Sequence, residues 1–245
     1  MRRRWIADTF SPLSGHPTHA ALTGDQALHL ARVLRAEVGQ SYDVVANGFL
    51  HRAEIIAVSH DSVDFVLHEE LQSDAALPLH LYLAIFKFDH FEWAIEKATE
   101  LGVAGITPIV ARRTEKHLAQ ASTKRVERWR RIAHEASQQS RRTTVPHITD
   151  PSTLRPALAS DPASRRVLLS ETEQLVSLTQ ALEGVARASG EHPAVALAVG
   201  PEGGWTAEEM LLFREHRWTH ATLGTRILRA ETAAIAALAI ASSCL

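Results

Sequence analysis

Cysteine is nearly missing from this chain of 245 residues. Cys244 stands alone beside the C-terminus, which excludes an intramolecular disulfide framework and any multi-cysteine zinc site. Long apolar runs are also missing. The longest, Ala233 to Ala241, covers less than half a membrane span. Asp8 and Pro12 break up the chain just beyond Arg2, Arg3 and Arg4, so no signal-peptide stretch forms. A cytoplasmic protein off the membrane is expected. Net charge is small at −2, so no global field draws the molecule to nucleic acid, and a polyanion site must be a local patch. Lysine is scarce: four of the 26 basic residues are lysine and the other 22 are arginine. A guanidinium fork suits bidentate phosphate recognition, although an Ala- and Arg-rich composition also arises from base composition. Three motifs are absent as well: the Walker A Gly-Lys-Ser/Thr, the dinucleotide Gly-x-Gly-x-x-Gly, and the Gly-x-Ser-x-Gly elbow. The 14 histidines are dispersed, and His16 with His19 lacks a ligand set, so no metal is expected.

What is present suffices for a core, with 45% hydrophobic and 22% charged residues. The first seventy residues read as short strands and turns. Tyr42 to Ala46 leads through Asn47-Gly48 into Phe49 to Val58, a strong hairpin signal, and Ser62 to Leu67 fits a third strand. A short helix over Asp25 to Arg35 completes a small β-barrel. Gln72 to Pro78 reads as a linker, placing one domain at 1–72 and a second at 73–245. The second begins with the apolar strand Leu79 to Phe86 and a helix over Phe88 to Leu101. It continues with strands at Gly105 to Val110, Val167 to Leu169, Ala194 to Val199 and His220 to Leu223. Helices are expected over Thr123 to Arg141, Thr206 to Glu215 and Glu231 to Ser242. Strands apolar on both faces, alternating with helices, predict an α/β fold with a largely parallel sheet covered on both sides.

Three segments carry chemistry. Gly200-Pro201-Glu202-Gly203-Gly204-Trp205 follows a parallel strand and precedes Thr206, with Glu209 three residues later as a capping box. A glycine loop at a strand's carboxyl end and a helix N-terminus is where ligands bind in open α/β sheets. The second segment, Leu223 to Ala233, is also a strand-to-helix passage. Arg226 and Arg229 flank Ile227-Leu228 there, and Glu231 lies in the helix's first turn. A third strand end, Leu169-Ser170-Glu171, can add an edge to the same pocket. The last segment is basic: residues 112–142 hold ten basic side chains against three acidic ones. Such a stretch suits either a solvated helix face or a polyanion partner.

Together these blocks resemble the SPOUT methyltransferase superfamily, in particular its RsmE-type family, which methylates N3 of a uridine in 16S rRNA. His29-Leu30, Val33-Leu34-Arg35, Gly39 and Asn47-Gly48 are similar to that family's opening pattern. Lys97 to Val103 with Ile106 and Pro108 is similar to its central signature. Arg128-Trp129, Ile132-Ala133, Glu135-Ala136, Gln139-Ser140, Arg142 and Pro146 match the next block, then Gly200 to Gly204, Leu223-Gly224, Arg226-Ile227-Leu228-Arg229 and Glu231-Thr232-Ala233. Phe88, Gln138, Arg141, Thr225 and Ala230 depart from the family pattern.

The resemblance implies an α/β SPOUT fold with a trefoil-knotted parallel sheet and a PUA-like or OB-like RNA-binding β-barrel at the N-terminus. It implies a homodimer, S-adenosyl-L-methionine as methyl donor, and 16S rRNA within the 30S particle as partner. Leu169, Ser170, Glu171, Gly200, Pro201, Glu202, Gly203, Leu223, Gly224, Ile227, Leu228 and Thr232 are then expected at the donor. Glu202 is the candidate for orientation or base, and Arg229 for stabilising a uridine anion. Arg2, Arg3, Arg4, Arg32, Arg35, Arg112, Arg113, Arg128, Arg131 and Arg142 are expected on RNA phosphates. A SPOUT enzyme acting on ribose 2′-oxygens and a non-catalytic RNA-binding assembly protein remain the alternatives.

Overall fold

The computed structural model describes residues 4–11, 18–73, 77–185 and 195–245. Arg2, Arg3 and His16 lie outside them. The chain divides into two compact units. One comprises Met1–Ala75 with Ser137–Thr144, the other Ala76–Ala136 with Val145–Leu245.

The first unit is a curled six-stranded sheet. Its strands are β1 (Trp5–Ile6), β2 (Thr9–Ser11), β3 (His19–Thr23), β4 (Ser41–Ala46), β5 (Phe49–Val58) and β6 (Ser62–Leu71), ordered β1-β4-β5-β6-β3-β2. Asn47 and Gly48 both have positive φ, 49° and 83°. The β4–β5 connection is therefore the two-residue turn whose twist matches the flanking strands. Alternate residues along the strands point inward, so Val44, Ala53, Ile55, Val63 and Phe65 meet Trp5, Leu22 and Leu30 in one core. Helix α1 (Gly24–Leu28) passes into a π-helical turn over His29–Val33, where an uninterrupted helix from Asp25 to Arg35 was expected. Arg35 at φ 51° ends it. Ser137–Thr144 joins this unit: the buried Gln138 amide donates to Gln26, and the Arg4 guanidinium donates to the Arg141 carbonyl.

In the second unit β7 (Leu79–Ala84), β8 (Gly105–Val110), β9 (His147–Ile148), β10 (Ser152–Thr153), β11 (Arg165–Leu169), β12 (Val195–Val199) and β13 (Thr219–Ala221) form one sheet. The order is β10-β8-β7-β12-β11-β13, with β9 also on β8, and every pair is parallel. The helices are α2 (Phe88–Glu100), α3 (Lys116–Ser122), α4 (Val126–Gln139), α5 (Leu154–Ala159), α6 (Leu178–Ala181), α7 (Ala207–Glu215) and α8 (Ala230–Cys244). Period-two alternation sends Leu79, Leu81, Leu83, Val195, Leu197 and Val199 to the face covered by α2, α4 and α8. Tyr82, Ala196, Ala198 and Leu168 turn to the opposite face, against Leu154, Leu158, Phe213 and Trp218. Burying such side chains stabilises the unit by roughly 1.5–3 kcal/mol each. None of the described helices is long and apolar enough to cross a membrane.

The edge strand β13 carries the unusual topology. Successive strand residues point their backbone groups to opposite sides. Ala221 faces β11, accepting from Ser170 N–H (3.0 Å), whereas Thr222 bonds Val176 and Leu178 (2.8 and 3.0 Å) on its other side. The chain between Ser170 and Leu178 thus loops around the end of β13. From that edge the chain returns to the sheet centre, where α8 packs on β7, β12, α2 and α6. That is the return path the trefoil arrangement demands.

Candidate functional site

Because all strands of the second unit run parallel, their carboxyl ends open on one side of the sheet. The loops after β11, β12 and β13 meet there around a cavity of about 780 Å³, within the usual range for small-molecule sites. The first turns of α2 and α8 and the loop after β8 complete its wall through His90, Ala230, Ala233 and Arg113.

Local chemistry holds each loop. After β12, Gly204 takes φ 69° and donates to the Pro201 carbonyl (2.7 Å). Trp205 lies over Gly200 so closely that a Cβ there would sit 3.0 Å from its Nε1. Thr206 and Glu209 form the expected capping box: the Thr206 N–H and hydroxyl donate to Glu209 Oε2 (2.8 and 3.0 Å), and the Glu209 N–H donates to Thr206 Oγ1 (3.3 Å). Glu209 is buried, and its other oxygen accepts the Arg112 backbone N–H at 2.8 Å. The same short loop sends the Arg113 guanidinium to the Gly203 carbonyl. After β13, Gly224 at φ 117° lets Thr222 Oγ1 accept its N–H and donate to its carbonyl (3.1 and 3.0 Å). After β11, Glu173 accepts the N–H groups of Leu175 and Val176, which hold its carboxyl below the ordinary range.

The residues expected at the methyl donor come together with one exception. Leu169, Ser170, Glu171, Gly200, Pro201, Glu202, Gly203, Leu223, Gly224, Ile227 and Leu228 all line the cavity, as does Arg229. Thr232 lies off it, exposed on α8. The roughly 100° step between successive helix residues turns Ala233 inward and Thr232 outward, a phase that spacing alone left undetermined.

The arginines expected on RNA divide. Arg113 lines the cavity. Arg128 is held bidentately by Glu92 (2.8 and 2.9 Å from Nε), and Arg125 shares that carboxylate at 3.3 Å. Arg142 is half-buried, and desolvation lowers its pKa to about 10. Arg112 and Arg131 are exposed in the second unit; Arg32 and Arg35 are exposed in the first, and Arg4 is half-buried.

Sequence reasoning missed His90. Its Nδ1 is 2.9 Å from Glu231 Oε1, across 141 positions of sequence. No spacing pattern signals a pair so far apart. Thr222 was also missed as a cavity wall, although it directly adjoins an expected loop, and Trp205 was read with its loop but not assigned to the donor.

The donor set fits a nucleoside-bearing methyl donor. Glycines at two loop turns admit close backbone approach, Leu169, Val199, Leu223 and Leu228 supply an apolar shelf, and carboxylates and guanidiniums stand at the rim. The comparisons agree with this geometry. The model of an RNA methyltransferase domain matches residues 73–242, and that of an RNA methyltransferase PUA domain matches residues 22–67. The ribosomal RNA small subunit methyltransferase E of Bacillus subtilis is 31% identical over 99% of this chain and 96% of its own length. Its Synechocystis namesake is 34% identical over 89% of this chain and 71% of its own. The crystal structure of the Neisseria gonorrhoeae enzyme of that name, bound to S-adenosyl methionine, superposes with TM-score 0.78 and 29% identity, covering 98% of this chain and 96% of that one. With the looped β13, the glycine-lined cavity and these matches together, the chain belongs to the RsmE-type family of SPOUT RNA methyltransferases.

Proposed function

We propose that this protein transfers a methyl group from S-adenosyl-L-methionine to N3 of a uridine in 16S rRNA of the small ribosomal subunit. The observation that carries the reading is the cavity at the three strand ends, built by an intact Gly200–Gly204 loop in a chain of this family. Relatives named for small-subunit ribosomal RNA methylation supply the substrate class. Leu169 to Glu171, Gly200 to Gly203 and Leu223 to Leu228 would hold the donor, whose sulfonium supplies an activated methyl group. The remaining work falls to side chains. Positioning the uracil in line removes the entropic part of the barrier. Arg229, exposed at the N-cap of α8, stabilises the charge that develops on the uracil as its N3 proton leaves. Glu202, exposed on the glycine loop, orients substrate or donor at the rim. Arg113 steadies that loop rather than reaching for phosphate. Phosphate contact is left to Arg4, Arg32 and Arg35 on the first unit, and to Arg112 and Arg131 on the second. The working form is a cytoplasmic homodimer acting on the 30S particle.

The test is methyl transfer from labelled S-adenosyl-L-methionine to 30S particles from cells lacking the gene, followed by nucleoside mass spectrometry. A 3-methyluridine peak is expected. Label on a ribose, or none from protein that binds the donor, would overturn the substrate assignment.

A further inference from the structure

On the cavity wall His90 meets a buried carboxylate, and this pair has no part in holding the loops. Glu231, in the first turn of α8, is almost fully buried at 4% side-chain exposure. Its Oε1 lies 2.9 Å from His90 Nδ1, and its Oε2 has no hydrogen-bond partner among the described residues. A buried carboxylate is costly unless paired. The positive end of α8 and the single imidazole contact together stabilise it. The carboxylate fixes the ring: Nδ1 carries the proton and donates to Glu231, which leaves the Nε2 lone pair free. The imidazole is partly exposed, at 32%, and lines the cavity wall. The backbone also positions it, because the His90 N–H is capped by Asp89 Oδ1 at 3.0 Å.

We infer that His90 is the general base that removes the uridine N3 proton, with Glu231 holding its tautomer and orientation. The inference rests on the methyl-transfer reading. In the step, the N3–H bond breaks and its proton goes to His90 Nε2. The electron pair left on N3 forms the N3–CH3 bond. The methyl's bond to the sulfonium sulfur breaks, the sulfur keeps that pair, and its charge is neutralised. No further reactant is needed. A carboxylate behind the ring stabilises the imidazolium as it forms, the same division of labour that makes a histidine an effective base in hydrolases. Glu202 is less suited, being an exposed carboxylate with no hydrogen-bond partner among the described residues to aim it. The charged groups on the elements around the ring are Lys87 and Asp89 on its own turn, Glu231 on α8, and Arg113, Glu171, Glu202, Arg226 and Arg229 around the cavity.

The experiment compares wild type, His90→Gln and His90→Lys in single-turnover methylation of 30S particles across pH 5.5–8.5. Donor affinity is measured by calorimetry, and long-range nitrogen–proton spectra report the His90 tautomer. Loss of roughly 10²–10⁴-fold in rate is expected for both variants at near-unchanged donor affinity. In both variants the rate should rise with pH across the whole range, because solvent alone must then take the N3 proton. Wild type should depend on pH less steeply, and its spectra should show a ring protonated on Nδ1. His90→Lys supplies another donor to Glu231, so it reports even if His90→Gln does not fold. A lysine variant of near wild-type rate would mean the site needs only positive charge, which overturns the base assignment. A ring protonated on Nε2 would overturn it equally. If wild type itself forms no 3-methyluridine, the underlying reading fails, and this inference fails with it.

Discussion

Two glycines of one loop differ in what a methyl group would meet. At Gly200 an added Cβ would stand 3.0 Å from Trp205 Nε1 and 3.3 Å from its Cε2. That indole is wedged edge-on against Phe213, with ring centroids 5.0 Å apart, and cannot retreat. At Gly203 the nearest atom is Arg113 Cδ at 3.3 Å, part of a flexible stem. Overpacking against a fixed ring costs about 1–3 kcal/mol, whereas a long side chain shifts at little cost. Gly200→Ala should weaken donor binding roughly tenfold, and Gly203→Ala by less than about threefold. Calorimetric titration with S-adenosyl-L-methionine decides it, and equal affinities would show that Trp205 yields. At this scale the loops themselves were legible, because glycine, proline and a helix cap mark a strand-to-helix passage. The contacts that lock them were not. Arg113 reads as one more member of a basic run, and nothing local says that it turns back to Gly203, 90 positions away.

Helix α7 shows how an element is tied to the sheet at one point. The capping box was readable from Thr206 and Glu209, and both of its bonds form. Its further role was not readable: Glu209 Oε1 also accepts the Arg112 N–H, joining the start of α7 to the loop after β8. Loss of a cap costs about 1 kcal/mol, and loss of a hydrogen bond to a charged group about 1.5–3 kcal/mol. Glu209→Ala should therefore lower unfolding stability by about 2.5–4 kcal/mol, against about 1 kcal/mol for Thr206→Ala. Urea titrations of the two variants test this, and equal losses would show that the Arg112 bond contributes nothing. Strands and long helices were legible wherever apolar periodicity ran uninterrupted, as along Leu79–Ala84 and Val195–Val199. Short elements escaped, because α5, α6, β9 and β10 are too brief to repeat a pattern. The long helix expected over Thr123 to Arg141 begins only at Val126, after a 3₁₀ turn at Thr123–Arg125.

For the whole molecule, the parallel sheet follows from alternation and burial, but the passage of β13 through its loop does not. Hydrogen bonds from Thr222 to Val176 and Leu178 have no local signature, and threading is rare enough that physical rules argue against it. Charge placement is likewise a property of the fold. Arg128 and Arg131 are both exposed, but Arg128 is paired with Glu92 whereas Arg131 has no ion pair among the described residues, so they should differ on RNA. Arg131→Ala should reduce the salt slope of RNA affinity by nearly one, and Arg128→Ala by much less. Filter binding between 50 and 200 mM salt measures both, and identical slopes would sink the distinction.

Stability against acid depends in part on two half-buried histidines of the same sheet. His80 is enclosed between β7 and β8, its Nε2 lying 2.8 Å from Thr107 Oγ1, and a Cβ on Gly105 would clash with its ring at 2.7 Å. Burial pushes its pKa below the ordinary value; Asp161 opposes this and His147 adds to it. His220 is lowered as well, first by burial and then by Arg214. With the folded value depressed, folded and unfolded chains are both neutral at these sites above about pH 7, and no stability depends on pH there. As pH falls through the ordinary histidine range, the unfolded chain takes up protons that the folded chain refuses, so stability is lost. The limiting slope is about 1.4 kcal/mol per pH unit for each histidine. His80→Asn, which stays neutral throughout, should flatten the fall in unfolding free energy between pH 7 and 5, measured by urea titration at each pH. An unchanged slope would mean that His80 takes up its proton in the folded state, and that acid sensitivity arises elsewhere in the fold.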